Sequence, residues 1–152
     1  MAKAAKPIPE GYRTVTPYLI VDDAKGALEF YKKAFRAEER IRYEHEGKIG
    51  HAEIQIGDSI IMMADEYPPM DIRSAKTIGG SPVQIHLYVE DVDSFVDRAV
   101  QNGAKLKRPV ADQFYGDRSG SIEDPYGHTW YVSTHKEDLT PEEMRERAAK
   151  KP

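Results

Sequence analysis

Residues 81–92 read SPVQIHLYVEDV, and the alternation inside that stretch decides how the chain folds. Successive side chains of a strand point to opposite faces, so Val83, Ile85, Leu87 and Val89 share one face and Gln84, His86, Tyr88 and Glu90 the other. The strand ends in Asp91, and VDSFVDRAVQNGA follows. There Val92, Phe95, Val96, Ala99 and Val100 recur at three- and four-residue steps, a single buried helical stripe that Gly103 is placed to stop. The polar row of the strand poses the functional question. It faces bulk water, or it lines a site for a ligand or a metal ion.

The same succession of signals occurs earlier. TVTPYLIV (14–21) reads as a strand whose Pro17 suggests an edge or a bulge, since proline cannot donate to the ladder. Asp22-Asp23 offers a helix cap, and Ala24, Ala27, Leu28, Tyr31, Ala34 and Phe35 form the helical stripe behind it. Three strands are expected at 38–46, 50–56 and 59–64, with turns at Gly47-Lys48 and Gly57-Asp58. After the second helix, a loop containing Arg108-Pro109 leads to a segment at 112–115 and then to 119–123. Asp124-Pro125-Tyr126-Gly127 has turn chemistry, and a last strand covers 128–134. Val21-Asp22-Asp23 matches Val89-Glu90-Asp91 at an offset of 68, and 57–62 matches 126–131 at an offset of 69. Two anchors that agree within one residue indicate an internal duplication. The expected fold class is therefore α+β, with two tandem βαβββ modules.

The 152 residues suffice for one domain or two small fused modules. Residues 1–13 read as a disordered arm, 14–136 as one domain with modules at 14–64 and 83–134, and 65–82 as a long aperiodic connection. The tail, 137–152, starts a helix with Thr140 as cap, Pro141 at the first position and Glu143 completing a capping box. A net charge of −4 gives no electrostatic reason to expect nucleic acid or an anionic membrane, and no apolar run approaches the roughly 20 residues of a membrane span. The absence of cysteine removes disulfides, thiol nucleophiles and cysteinyl metal sites together. A cytoplasmic location is the default expectation.

Three stretches carry a family resemblance. TVTPYLIVDDAKGALEFYKKAF, HAEIQIGDSIIMMADE and QFYGDRSGSIEDPYGHTWYVSTH resemble the vicinal oxygen chelate superfamily, the glyoxalase/bleomycin resistance fold, and within it the PhnB-like branch. The resemblance covers about residues 14–136. It implies that each module is a curved mixed sheet with its helices outside, the two forming a cup, and that the protein is a homodimer. A PhnB-like likeness implies no phosphonate activity, because no residue shows phosphonate chemistry.

In metal-dependent members of that superfamily, histidines and glutamates on the first and last strand of each module point into the cup. Carried over to this chain, those positions are Thr16 and Gln84 on the first strands and Met62 and Tyr131 on the last. A thioether, two neutral oxygen donors and a phenol that ionises near pH ~10 make a poor set for a borderline divalent cation. No cofactor is therefore expected. A displaced metal site built from His51, Glu53 and His86 is the fallback. Thr16, Tyr18, Met62, Gln84, His86 and Tyr131 are expected to line the cup and bind a small organic molecule. Tyr115 and Arg118 join them from FYGDR (114–118), where Arg118 would hold an anion while Tyr115 or Phe114 stacks. The opposing reading of that loop is a turn with an Asp117–Arg118 surface pair. Trp130, one residue out of phase with Tyr131, is expected in the core. His51 with Glu53 reads as an acid–base pair or as a plain cross-face hydrogen bond, and no catalytic residue is assigned. The alternative function is a metal-dependent lyase, isomerase or dioxygenase-type enzyme; an accessory protein acting through its tail is a third.

Overall fold

In the computed structural model, which describes residues 4–151, the duplication is visible as two units that divide after Ile78. The first contains β1 (Tyr18–Val21), α1 (Ala24–Phe35), β2 (Glu38–His45), β3 (Lys48–Ile56), β4 (Ser59–Asp65) and a short α2 (Ala75–Ile78). The second contains β5 (Gln84–Tyr88), α3 (Val92–Gln101), β6 (Lys105–Asp112), β7 (Asp117–Glu123), β8 (Thr129–His135) and α4 (Pro141–Ala149). Each unit is one four-stranded mixed sheet, ordered β1-β4-β3-β2 and β5-β8-β7-β6. The first strand runs parallel to the last and the other pairs are antiparallel. Tyr18 lies opposite Met62, and His86 lies opposite Tyr131, reproducing the 68- and 69-residue offsets in the pairing itself. The fold class is α+β, as tandem βαβββ modules require.

Helices α1 and α3 are each started by an aspartate whose side chain accepts from the third residue on: Asp23 from Gly26 N–H, and Asp91 from Ser94 N–H. Helix α1 buries Ala24, Ala27, Leu28, Phe30, Tyr31, Ala34 and Phe35. Its partners are Leu19, Val21, Ala52, Ile54, Ile61 and Met63, all buried and all on one side of the sheet by the strand register. Burying Leu28 alone is worth about 1.5–3 kcal/mol. Asp65, at the end of β4, is buried and ties the unit together: Oδ1 accepts from Ala24 N–H and Oδ2 from Ile49 N–H.

In the second unit the helix-facing row is Ile85, Leu87, Ile122, Trp130 and Val132, packed on Val92, Phe95, Val96 and Ala99. Trp130 is fully buried, as its phase predicts, and its Nε1–H donates to Asp124 Oδ2 at 2.8 Å. The other oxygen of Asp124 accepts from the N–H groups of Tyr126 and His128. The Asp124–Gly127 turn thus anchors the largest core side chain, and its role is structural.

Three expectations about elements need correction. The loop expected around Arg108-Pro109 is strand β6, with Pro109 inside it. Proline is tolerated because β6 is an edge strand whose register slips between Leu106/Arg108 and Arg108/Ala111. Strand β1 begins at Tyr18, so Thr16 and Pro17 precede it, although the Pro17 carbonyl still accepts from Met62 N–H. The 65–82 connection is not structureless: it holds a 3₁₀ turn (Pro68–Met70) and α2, with Glu66 accepting from Ser74 N–H and the Thr77 hydroxyl. Over residues 4–13 there is no helix or strand, but Tyr12 N–H closes a turn onto Pro9 O. Helix α4 forms with the full Thr140–Glu143 capping box, buries no residue, and is held by Arg147, which donates to Glu137 and to the Phe114 carbonyl. Among the described residues no helix is long and apolar enough to cross a membrane.

Candidate functional site

The chemistry-bearing side chains stand on the sheet faces turned away from α1 and α3. In the first unit one cross-strand row holds Tyr18, Met62, Glu53 and Ile41, and the adjoining positions bring in His51 and Tyr43. The Tyr18 hydroxyl is 2.8 Å from His51 Nδ1, and His51 Nε2 is 2.7 Å from Glu53 Oε2. The Tyr12 hydroxyl donates to the other oxygen, Glu53 Oε1. Tyr43 stacks on the His51 ring.

Glu53 is 4% exposed, so burial raises its pKa, but the hydrogen bonds from Tyr12 and His51 outweigh that and hold the carboxyl below its usual range. An ionised carboxylate only accepts. His51 Nε2 must therefore carry the proton, and in the neutral ring Nδ1 accepts from the Tyr18 O–H. Burial, and then the Glu53 charge, push the Tyr18 phenol up. Bonding to Glu53 does the same for Tyr12.

In the second unit Gln84 lies opposite Thr129, His86 opposite Tyr131, and Tyr88 opposite Ser133. The His86 ring stacks on Tyr88 at 4.8 Å and meets the edge of Tyr131 at 5.0 Å. His86 Nε2 is 2.8 Å from Ser133 Oγ, which is 2.8 Å from Ser119 Oγ. The Tyr131 and Tyr115 hydroxyls are 2.8 Å apart; burial first, then this bond, push the Tyr115 phenol up to about 12. A second chain leaves the same face: Tyr88 O–H donates to Asp117 Oδ2, while His135 bridges Asp117 Oδ1 at 2.7 Å and Asp138 at 2.8 Å. With a carboxylate on each nitrogen, first Asp117 and then Asp138, His135 is held protonated to higher pH than an ordinary imidazole.

The candidate residues are thus partly assembled. Tyr18 and Met62 share a row in the first unit, with Thr16 half-buried just ahead of it. Gln84, His86, Tyr131 and Tyr115 share a face in the second. Arg118 does not join them. It pairs across β6–β7 with Asp112 and reaches α3, where Nε and one terminal nitrogen bind Asp93 at 2.8 and 3.0 Å and the other binds Asp112 at 3.2 Å. Its surface ion pairs are with Asp93 and Asp112; Asp117 bonds Tyr88 and His135. Phe114 lies under the Lys151 ammonium and meets the Tyr115 ring edge-on at 5.2 Å. At the positions where metal-dependent relatives of the resembled family carry ligands stand a hydroxyl, a thioether, an amide and a phenol, with no anion and no imidazole. Among the described residues no three His, Cys, Asp or Glu side chains are grouped to hold a metal ion; of the fallback set, His51 and Glu53 lie in the first unit and His86 in the second.

Sequence reading missed Tyr12, Asp117, Ser119 and His135. The phase of β8 carries through Thr129, Tyr131 and Ser133 to His135, so that residue was within reach of the same rule. Tyr12 lies outside any periodic element and has no such signal.

A family model described as "Glyoxalase/Bleomycin resistance protein/Dioxygenase superfamily" matches residues 13–132. The Mycobacterium bovis protein Mb0911c is 38% identical over 135 residues, which is 86% of this chain and 89% of that one. Among solved structures, TioX from Micromonospora sp. ML1 is similar at 25% identity with a TM-score of 0.64, covering 84% of this chain and all of that one. The fosfomycin resistance protein FosX from Mesorhizobium loti shares the fold at 19% identity and a TM-score of 0.58, covering 82% of this chain and 92% of that one.

Proposed function

This chain belongs to the glyoxalase/bleomycin resistance protein/dioxygenase superfamily, and we propose that it binds a small organic molecule against the helix-free faces of its sheets, without the metal ion that members of the resembled family hold. The observation that carries this reading is the make-up of those faces. Apolar Met62 and Ile20 adjoin Tyr18 in the first unit, and aromatic and hydrogen-bonding groups (Gln84, His86, Tyr115, Tyr131) converge in the second. A few placed polar groups on an aromatic and apolar lining suit an uncharged or aromatic ligand. Arg118, bound to two aspartates, contributes no free cation. The PhnB-like branch and a homodimer belong to the same proposal.

The alternative, a metal-dependent lyase, isomerase or dioxygenase, needs a Lewis acid. Thr16, Met62, Gln84 and Tyr131 do not fit one, because borderline divalent ions select imidazole and carboxylate over thioether and neutral oxygen. Elemental analysis of protein purified without chelator, followed by thermal-shift titration with Ni²⁺, Co²⁺ and Zn²⁺, is the test. Less than 0.1 equivalent of metal (roughly, as for adventitious occupancy) and no shift in melting are expected. Stoichiometric metal that Gln84→Ala or Tyr131→Phe releases would overturn the proposal. Ligand binding itself is read by thermal-shift screening of small aromatic and amphipathic compounds, with Tyr131→Phe and His86→Ala as the weakened variants.

A further inference from the structure

The row in the first unit contains a sequence of groups that mere binding does not require. A carboxylate buried to 4% exposure holds one nitrogen of an imidazole at 2.7 Å, and the other nitrogen holds a phenol at 2.8 Å. We propose that Tyr18, His51 and Glu53 form a nucleophilic site for acyl-type electrophiles, in which the Tyr18 oxygen attacks, His51 Nδ1 takes its proton and Glu53 positions the imidazole. This deepens the reading that small molecules lie against this face, and rests on it.

The geometry meets the requirement for an activated nucleophile: a hydroxyl within hydrogen-bond reach of a base that a third group orients. Glu53 fixes the tautomer, since an ionised carboxylate leaves Nε2 as the protonated nitrogen and Nδ1 as the acceptor facing Tyr18. Tyr12 occupies the second Glu53 oxygen, so the carboxylate keeps its orientation while its charge stands behind the ring. As the imidazolium forms, that charge stabilises it. Tyr18 is 45% exposed and its ring leans on His51 with centroids 5.4 Å apart, so the hydroxyl is reachable while its proton faces the base. The raised phenol pKa means that the proton leaves with bond formation rather than beforehand. With an ester, the Tyr18 O–C bond forms, the proton passes to His51 Nδ1, and the alkoxide or phenolate departs with its electron pair. Water then hydrolyses the acyl-tyrosine.

The test needs no identified substrate. The intact protein is treated with 4-nitrophenyl acetate at neutral pH, and acetylation of each tyrosine is followed by peptide mass spectrometry. Tyr67, 52% exposed, is the internal reference. Tyr18 is expected to acetylate at least roughly a hundredfold faster than Tyr67, the low end of what a positioned base contributes. His51→Ala and Glu53→Gln should bring it to the Tyr67 rate while Tyr67 itself is unchanged, and added imidazole should restore part of the rate in His51→Ala. Because Glu53 is buried and its substitution also tests the fold, the wild-type His51 ring is observed as well by nitrogen-15 NMR, where Nδ1 should appear as the unprotonated nitrogen. Equal rates at Tyr18 and Tyr67 in the wild type, a fast Tyr18 that ignores His51→Ala, or a protonated Nδ1 would each overturn the site. None of these outcomes touches ligand binding, which the thermal-shift screen reads separately.

Discussion

The two units share a strand order, a helix and a pairing register, yet their helix-free faces have different chemistry. In the first, a buried carboxylate sits behind an imidazole and two phenols. In the second, serine and tyrosine hydroxyls and an aromatic stack fill the equivalent rows, and carboxylates stand at the two ends of the sheet, Glu123 in register with Thr129 and Asp117 beside His135. The helix-facing rows differ less in kind: both are aliphatic, the second with Trp130 replacing several smaller side chains. The difference teaches which constraint each face obeys. A buried face must exclude water and accepts only apolar side chains of the right volume, whereas the other face keeps the fold with many polar sets.

Substituting the core should break the comparison most strongly. Trp130→Ala is expected to cost about 3–5 kcal/mol, because it empties the largest core volume and also leaves Asp124 Oδ2 without its donor. Urea denaturation measures the loss, and amide exchange should quicken in β5–β8 before β1–β4. Equal acceleration in both units would show that they do not unfold separately. Next in size is Gly120→Ala, in the second unit alone. A Cβ there would stand 2.8 Å from Val110 Cγ2 and 3.1 Å from the Arg108 carbonyl, so about 1–3 kcal/mol is expected from overpacking at the bulged edge.

The smallest effect sharpens the comparison by sign. Glu53 is held below its ordinary 4.5, so its contribution is present at neutral pH and fades as pH falls below that value through the depressed one. His135 is held above its ordinary 6.5, so its contribution is complete below that value and fades as pH rises through the elevated one. Acid should therefore loosen the first unit's face and mild alkali the second's. Amide exchange at His51 and His135 from about pH 2.5 to about 8.5, roughly two units below an ordinary carboxyl and two above an ordinary imidazole, reads both; the same sign in both units would refute the assignment.

Much of this was legible in the chain. Alternation at 83–89 and the stripes at 24–35 and 92–100 placed the strands, the helices and the inward phase of Trp130. Matching offsets gave the duplication that the Tyr18–Met62 and His86–Tyr131 pairs display. Strand β6 was not legible, because Pro109 and its bulges erase the period-two signal and only pairing to β7 makes it a strand. Arg118 was placed in the wrong company for a related reason. Its loop position says nothing of the face it takes once β7 starts at Asp117 and turns its side chain toward Asp93 on α3.

By itself the sequence determined the periodic elements, their order and the residue types at each phase, because periodicity and capping are local properties that each segment carries alone. Only the tertiary structure decided that Tyr12, remote in sequence, would bond Glu53, that His51 would stand between Glu53 and Tyr18, and that Asp117 would belong to His135 and Tyr88. Those bonds join strands and segments whose neighbours are chosen by sheet pairing. A hydrogen bond has a length of about 3 Å, a tolerance that no linear pattern of residues specifies.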